Sequence, residues 1–264
     1  MTETMTLVRW VVKRAEVAVA ACVALLLSTG TALALTPQQY CDYLRIRAWK
    51  KFQYCVDTGL EADVKGVTGS AGVDWYAWNA KCRHIYFKNW AKAQKYTGST
   101  CVGPRFTDNG DQTVTDNLSG LTWEKKTNDD TVHDMDNQYQ WSTGSPWKGN
   151  GVAFAYFLLN INENNFGGAN DWRLPTLAEL QTIILDFECT GGFGPTCRCP
   201  SSPCAEPALG ATSTAYPGHY WSASNDVIYP ENAWGVAFGP PALPDVVVPP
   251  KSWAAFVRAV RGGW

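Results

Sequence analysis

Asp171-Trp172-Arg173-Leu174-Pro175-Thr176 is the stretch on which the fold turns. Pro175 sets the entry to a helix, and Thr176 with Glu179 forms a capping box that satisfies the first free N–H groups. Leu177, Leu180, Ile183 and Ile184 keep a 3.6-residue period, so the spacing predicts a helix over 176–186. Upstream, Arg105-Phe106-Thr107-Asp108-Asn109-Gly110-Asp111 carries an Asn-Gly hairpin signal, and Gly120-Leu121-Thr122-Trp123 extends the strand beyond it. A polar loop is expected over 127–150; the apolar run 151–161 reads as a helix or a buried strand. Downstream, Tyr220-Trp221-Ser222 and Val257-Arg258-Ala259-Val260-Arg261-Gly262-Gly263 sit in strands expected over 220–224, 233–238 and 254–261.

In this order and spacing, the four blocks resemble the Lcl C-terminal domain family, named from the tip domain of a bacterial collagen-like surface adhesin, over about residues 104–264. Arg173-Leu174-Pro175-Thr176 and the Arg261-Gly262-Gly263 ending are also similar to the formylglycine-generating-enzyme branch of the C-type-lectin-like fold. The resemblance implies an α+β, C-type-lectin-like domain whose two ends pair near each other and whose long loops bind ligand on one side. It also implies trimers and an association with sulfated glycans. The charge of this module opposes the second: residues 105–264 hold nine Lys and Arg against seventeen Asp and Glu, a balance of −8.

Residues 35–104 are the opposite, with ten Lys and Arg against five Asp and Glu. That contrast places a module boundary near Val102-Gly103-Pro104, giving a basic module over 35–103 and an acidic one over 104–264. Before them lies an export signal, 1–34: Arg9, Lys13 and Arg14 precede an apolar stretch from Val17 to Ala34 that ends in Ala32-Leu33-Ala34, so cleavage is expected after Ala34. Val19-Ala20-Ala21-Cys22 offers a lipoprotein alternative, and an uncleaved anchor is a third. No later apolar run reaches spanning length, so no transmembrane segment is expected after signal removal. The product is expected to be periplasmic, outer-surface or secreted.

The basic module reads as a helical hairpin. Thr36-Pro37 starts a helix on which Cys41, Leu44, Ala48, Phe52 and Cys55 share a face, with Gly59 as its stop. A second pattern carries Trp75, Trp78, Cys82, Ile85, Tyr86 and Trp90. Antiparallel packing pairs Cys55 with Cys82 and Cys41 with Cys101, one of three pairings that four cysteines allow. The basic side chains form either a solvated face, a patch for an anionic polymer, or a surface that docks onto the acidic module. Their interleaved aromatics fall at core spacing, so nucleic acid is not an expected partner. Cys189, Cys197, Cys199 and Cys204 crowd one loop; C-x7-C-x-C-x4-C is not a zinc spacing, so two disulfides are expected, with the pairing open.

Catalysis is not expected. The formylglycine-generating relatives use a reactive cysteine pair near the domain's end, and no cysteine follows Cys204. The three histidines are scattered, and no phosphate loop, dinucleotide fingerprint or H-E-x-x-H occurs. Asp129, Asp130, Asp134 and Asp136 lack EF-hand spacing, so neither metal nor other cofactor is expected. Pro230-Glu231-Asn232 and Ser224-Asn225-Asp226 differ from the motifs of calcium-bridged sugar lectins.

The candidate ligand-binding residues are Trp221, Asn225, Asp226, Glu231, Asn232, Trp234, Arg258 and Arg261. Trp221, Trp234 and Trp253 could offer rings to sugars or fill the core; Trp234, beside Glu231-Asn232, is the favoured ring. Arg258 and Arg261, three apart, face opposite ways in a regular strand. The expectation is an exported, disulfide-stapled binding or adhesion protein for a glycan or protein ligand. The alternative is a structural subunit of a surface assembly, and a distant third is an enzyme with an unrecognised site.

Overall fold

The computed structural model describes residues 36–64, Trp78, Lys81, Cys82, His84, Ile85, Lys88, Asn89, 105–185 except 118, 202–239 except 216 and 217, and 245–263. The expected leader, its alternatives at Cys22, the boundary at 102–104, and Cys101, Cys189, Cys197 and Cys199 lie outside the described residues, as does the side chain of Cys41.

Helix α1 runs Pro37–Val64. Thr36 opens it as expected: its Oγ1 accepts from the Gln39 N–H at 3.2 Å, and Gln39 Oε1 accepts from the Thr36 N–H at 2.9 Å. Ala48, Trp49, Phe52, Cys55 and Val56 are buried, a stripe at helical spacing. Gly59 does not stop the helix. A Cβ there would meet the Trp78 indole at 2.4 Å, so this glycine makes room for a neighbour. The indole Nε1 of Trp78 donates to the Cys55 carbonyl at 2.8 Å. The seven described residues between Trp78 and Asn89 are helical. Cys55 is disulfide-bonded to Cys82, and Lys51 Nζ donates to Asn89 Oδ1 at 3.0 Å. As one partner advances the other recedes, so the second helical segment runs antiparallel to α1, as the hairpin reading expects.

Among the described residues the rest carries two sheets, and with the helices the protein is α+β. In the first, β1 (Phe106–Asp108), β2 (Thr113–Asp116), β3 (Leu121–Glu124) and β9 (Val260–Gly262) lie in that order, all antiparallel. Gly110, at φ +79°, makes the turn between β1 and β2. The final strand pairs with β3, Leu121 opposite Gly262 and Trp123 opposite Val260. In the second sheet the order is β4 (Gln138–Gln140), β8 (Ala254–Phe256), β5 (Tyr220–Asn225), β6 (Ala233–Ala237) and β7 (Asp245–Val247). Only the β5–β8 pairing is parallel.

Residues 254–261 therefore form two strands in two sheets instead of one. The break falls at Val257-Arg258-Ala259, where Arg258 turns inward. Its guanidinium donates to the carbonyls of Glu124 (3.0 Å), Leu209 (2.7 Å) and Ala211 (2.8 Å) and to Thr212 Oγ1 (2.9 Å).

The apolar run before this is helical, a π-helix over Ala153–Leu158 continuing into α2 (Leu159–Glu163). Helix α3 (Leu177–Thr182) carries the expected capping box, worth about 1 kcal/mol. It is shorter than expected, ending at Ile183, yet Leu177, Leu180, Ile183 and Ile184 are all buried. Cys41–Trp264 is one compact unit holding two apolar clusters. One joins the buried face of α1 to Trp123, Leu180, Tyr220, Trp234 and Phe256. The other gathers Trp141, Phe157, Trp172 and Trp221.

Candidate ligand-binding surface

Three loops meet at one end of the five-stranded sheet, and a buried lysine ties them together. Lys251, in the β7–β8 connection, is 2% exposed. Its Nζ donates to the carbonyls of Pro230 at 2.7 Å and Trp147 at 3.1 Å and lies 4.4 Å from the centroid of the Trp141 ring. Its backbone N–H donates to the Glu231 carbonyl at 2.7 Å. Burial pushes its ammonium below the usual lysine range, against the pull of Asp226 and Glu231. The β5–β6 loop, the β7–β8 loop and the loop after β4 are thus held in one arrangement.

The β5–β6 loop is shaped from within. The pairing of β5 with β6 shifts register between Trp221 and Asn225, which re-aims the end of the strand. Asp226 is buried, and its Oδ1 accepts from the N–H groups of Ile228 (2.8 Å) and Tyr229 (3.1 Å). That turn pushes Val227, Ile228 and Tyr229 outward, at 64%, 45% and 57% exposure. Across the tie made by Lys251, Trp253 is 55% exposed. Asn225 is exposed beside them, and Glu231 and Asn232 are half-buried. Two aromatic rings and two aliphatic side chains with polar neighbours, on loops fixed by hydrogen bonds, can hold a ligand that has an apolar face and hydroxyl or amide groups at its edge.

Several sequence expectations are corrected here. Trp234 is 3% exposed and packs in the core, so it presents no ring to solvent. Trp221 is wholly buried, with its Nε1 donating to the Tyr139 carbonyl at 2.8 Å. Arg258 is also buried and fastens the loop 209–212 to β3. Arg261 is paired with Asp171 at 2.5 Å, away from the four acceptors that Arg258 holds. Asp226 shapes the loop instead of facing outward. Of the eight candidates, Asn225, Asp226, Glu231 and Asn232 share this loop; the others do not join them. Val227, Ile228, Tyr229 and Lys251 were missed. Three apolar residues between Asp226 and Pro230, inside a loop too short to bury them, were the available signal.

A second polar assembly lies inside the domain. The Glu124 carboxylate is fully buried, 2.9 Å from Lys126 Nζ and 2.8 Å from His133 Nδ1, and its Oε2 accepts from the Ala259 N–H at 2.9 Å. Burial alone would push this carboxyl up; Lys126 and His133 outweigh it and hold it below the usual range. The His133 ring stacks on Phe166, with centroids 4.2 Å apart. The carboxylate spends its oxygens on fixing neighbouring backbone and side chains, which is a folding role. Asp134 does the same nearby, accepting the N–H groups of Asp129 (2.7 Å), Asp130 (3.0 Å) and Asp136 (2.7 Å). Among the described residues no group of three His, Cys, Asp or Glu is placed to hold a metal ion.

Cys204 is disulfide-bonded; the other three cysteines of its loop lie outside the described residues. No described helix is long and apolar enough to cross a membrane.

Comparison with known proteins gives one positive result. The family model described as the Lcl C-terminal domain matches residues 112–261. No curated protein matches the chain, and no solved structure does.

Proposed function

The chain belongs to the Lcl C-terminal domain family, and on that premise we propose that it is an exported, non-catalytic binding or adhesion protein that recognises its ligand with the loop end of the five-stranded sheet. The observation that carries this is the exposure of Tyr229 and Trp253, with Val227 and Ile228, on loops locked by Lys251. Large apolar side chains held rigidly at a surface are what a binding site needs, because ordering costs little on association. The pairing of β9 with β3 supports the lectin-like reading of the domain, in which the two ends meet and loops on one side take the ligand.

The ligand is a glycan. Flat rings stack on the apolar faces of sugars, while Asn225, Glu231 and Asn232 offer donors and acceptors to hydroxyls. The half-buried Glu231 on the same loop, in a module with a balance of −8, favours neutral or amino sugars over sulfated ones. A glycan array probed with the purified protein at two salt concentrations tests this. Neutral or amino sugars should score and survive raised salt; an array that is silent, or one that scores only sulfated sugars and fades in salt, contradicts the reading.

A second reading, a structural subunit of a surface assembly, has its own observation. Val152, at the start of the helical run 153–163, forms an exposed apolar row with Tyr156 and Leu159. Light scattering separates the two: a tight oligomer together with a silent array favours the subunit.

A further inference from the structure

The outer face of α1 carries a pattern that the loop-end reading does not use. Tyr43, Arg47, Lys50 and Tyr54 are all exposed and follow one another at steps of four, three and four, so they form one row along the helix, with Lys51 beside it. At about 1.5 Å per residue the row is roughly 16 Å long. Tyr54 is 74% exposed and Tyr43 49%, on the side opposite the buried stripe of Ala48, Phe52, Cys55 and Val56. Lys81 and Lys88 are exposed on the antiparallel second segment, which Lys51 touches through Asn89. The row then changes sign: Asp57 and Glu61 continue it toward the C-terminal end of α1, and both are exposed.

We infer that the first half of this row docks onto the surface of an anionic membrane, with Arg47, Lys50 and Lys51 against lipid phosphates and Tyr43 and Tyr54 at headgroup depth. Two observations favour a lipid surface as the occupant. The charges match, since residues 35–104 carry twice as many basic as acidic side chains. The aromatics on the row are tyrosines, whose apolar ring and polar tip suit the membrane–water boundary.

The experiment is sedimentation of the exported, oxidised protein with vesicles of phosphatidylglycerol in phosphatidylcholine, and of phosphatidylcholine alone. Wild-type protein is expected to bind the anionic vesicles at least about tenfold better than the neutral ones at low salt, and to be released at high salt. The double variant Arg47→Glu, Lys50→Glu is expected to lose that preference while keeping its circular dichroism and its Cys55–Cys82 bond. The variant Asp57→Lys, Glu61→Lys, which lengthens the basic row, is expected to bind more strongly. Equal binding to neutral and anionic vesicles overturns the inference. So does a double variant that binds like wild type, or capture by a soluble polyanion such as heparin or single-stranded DNA with no binding to vesicles. None of these results bears on the loop end, which lies on other elements.

Discussion

Gly59 shows how one missing side chain positions another. The Trp78 indole fills the space beside it and donates to the carbonyl of Cys55, one turn before Gly59 and itself disulfide-bonded to Cys82. Gly59→Ala forces a methyl group into that ring, so it is expected to destabilise the hairpin by about 1–3 kcal/mol despite alanine's better helix propensity. Chemical denaturation checks this; an unchanged or raised midpoint contradicts it. Gly59 reads as a helix stop in the sequence because glycine is the usual stop, and only the partner's position reveals the other use. The tryptophans have the same difficulty. Trp221, Trp234 and Trp253 all sit in or beside strand-like runs, and burial is decided by which sheet each strand joins. Trp253 escapes the core because it lies one residue before β8 begins, in the turn after Pro249-Pro250-Lys251.

Among elements, the local signals were the readable ones. The capping box at Thr176, the Asn109-Gly110 turn and the period of α1 are each set by a few neighbouring residues, and each is found where it was expected. The split of 254–261 into β8 and β9 was not readable. The run alternates well enough for one strand, and what interrupts it is Arg258 collecting acceptors from Glu124, Leu209, Ala211 and Thr212, far away in the chain. The strands β4 and β7 were hidden because each is only three residues long; β4 gains its pairing from β8, far along the chain, and β7 from the preceding strand β6.

The loop from Thr127 to Asp136 makes a prediction at this scale. Asp134 accepts N–H bonds from Asp136, Asp130 and Asp129, which hold its carboxyl below the ordinary value. Asp129 is likewise lowered, chiefly by Thr127 and Thr131. A carboxyl depressed in the folded state stabilises it fully above the unfolded value, near pH 4, and loses that contribution as pH falls through the folded value. Amide exchange at Asp129, Asp130 and Asp136, corrected for intrinsic rates, should therefore show weaker protection as pH drops below about 4. Protection that stays constant down to about pH 2 contradicts the account of this loop.

At the scale of the whole molecule, the hairpin and the two-sheet domain contribute buried residues to one apolar cluster. The charge contrast that divides the sequence into a basic and an acidic part does not divide this core, to which residues of both parts contribute. Family and fold class were legible because blocks spread over 105–263 keep their order. The candidate surface was half legible: Asn225, Asp226, Glu231 and Asn232 share the β5–β6 loop, while the side chains that loop exposes depend on a turn made by Asp226 and a tie made by Lys251.

The central claim is that this loop end grips a ligand. Its most direct measurement is a titration of the strongest-scoring glycan against wild-type protein and the double variant Tyr229→Ala, Trp253→Ala. Both rings are exposed, so the variant should keep wild-type thermal stability. The account predicts an affinity loss of about tenfold or more, on the order of 1.4 kcal/mol. Equal affinity in the two proteins, with the fold intact, would contradict it.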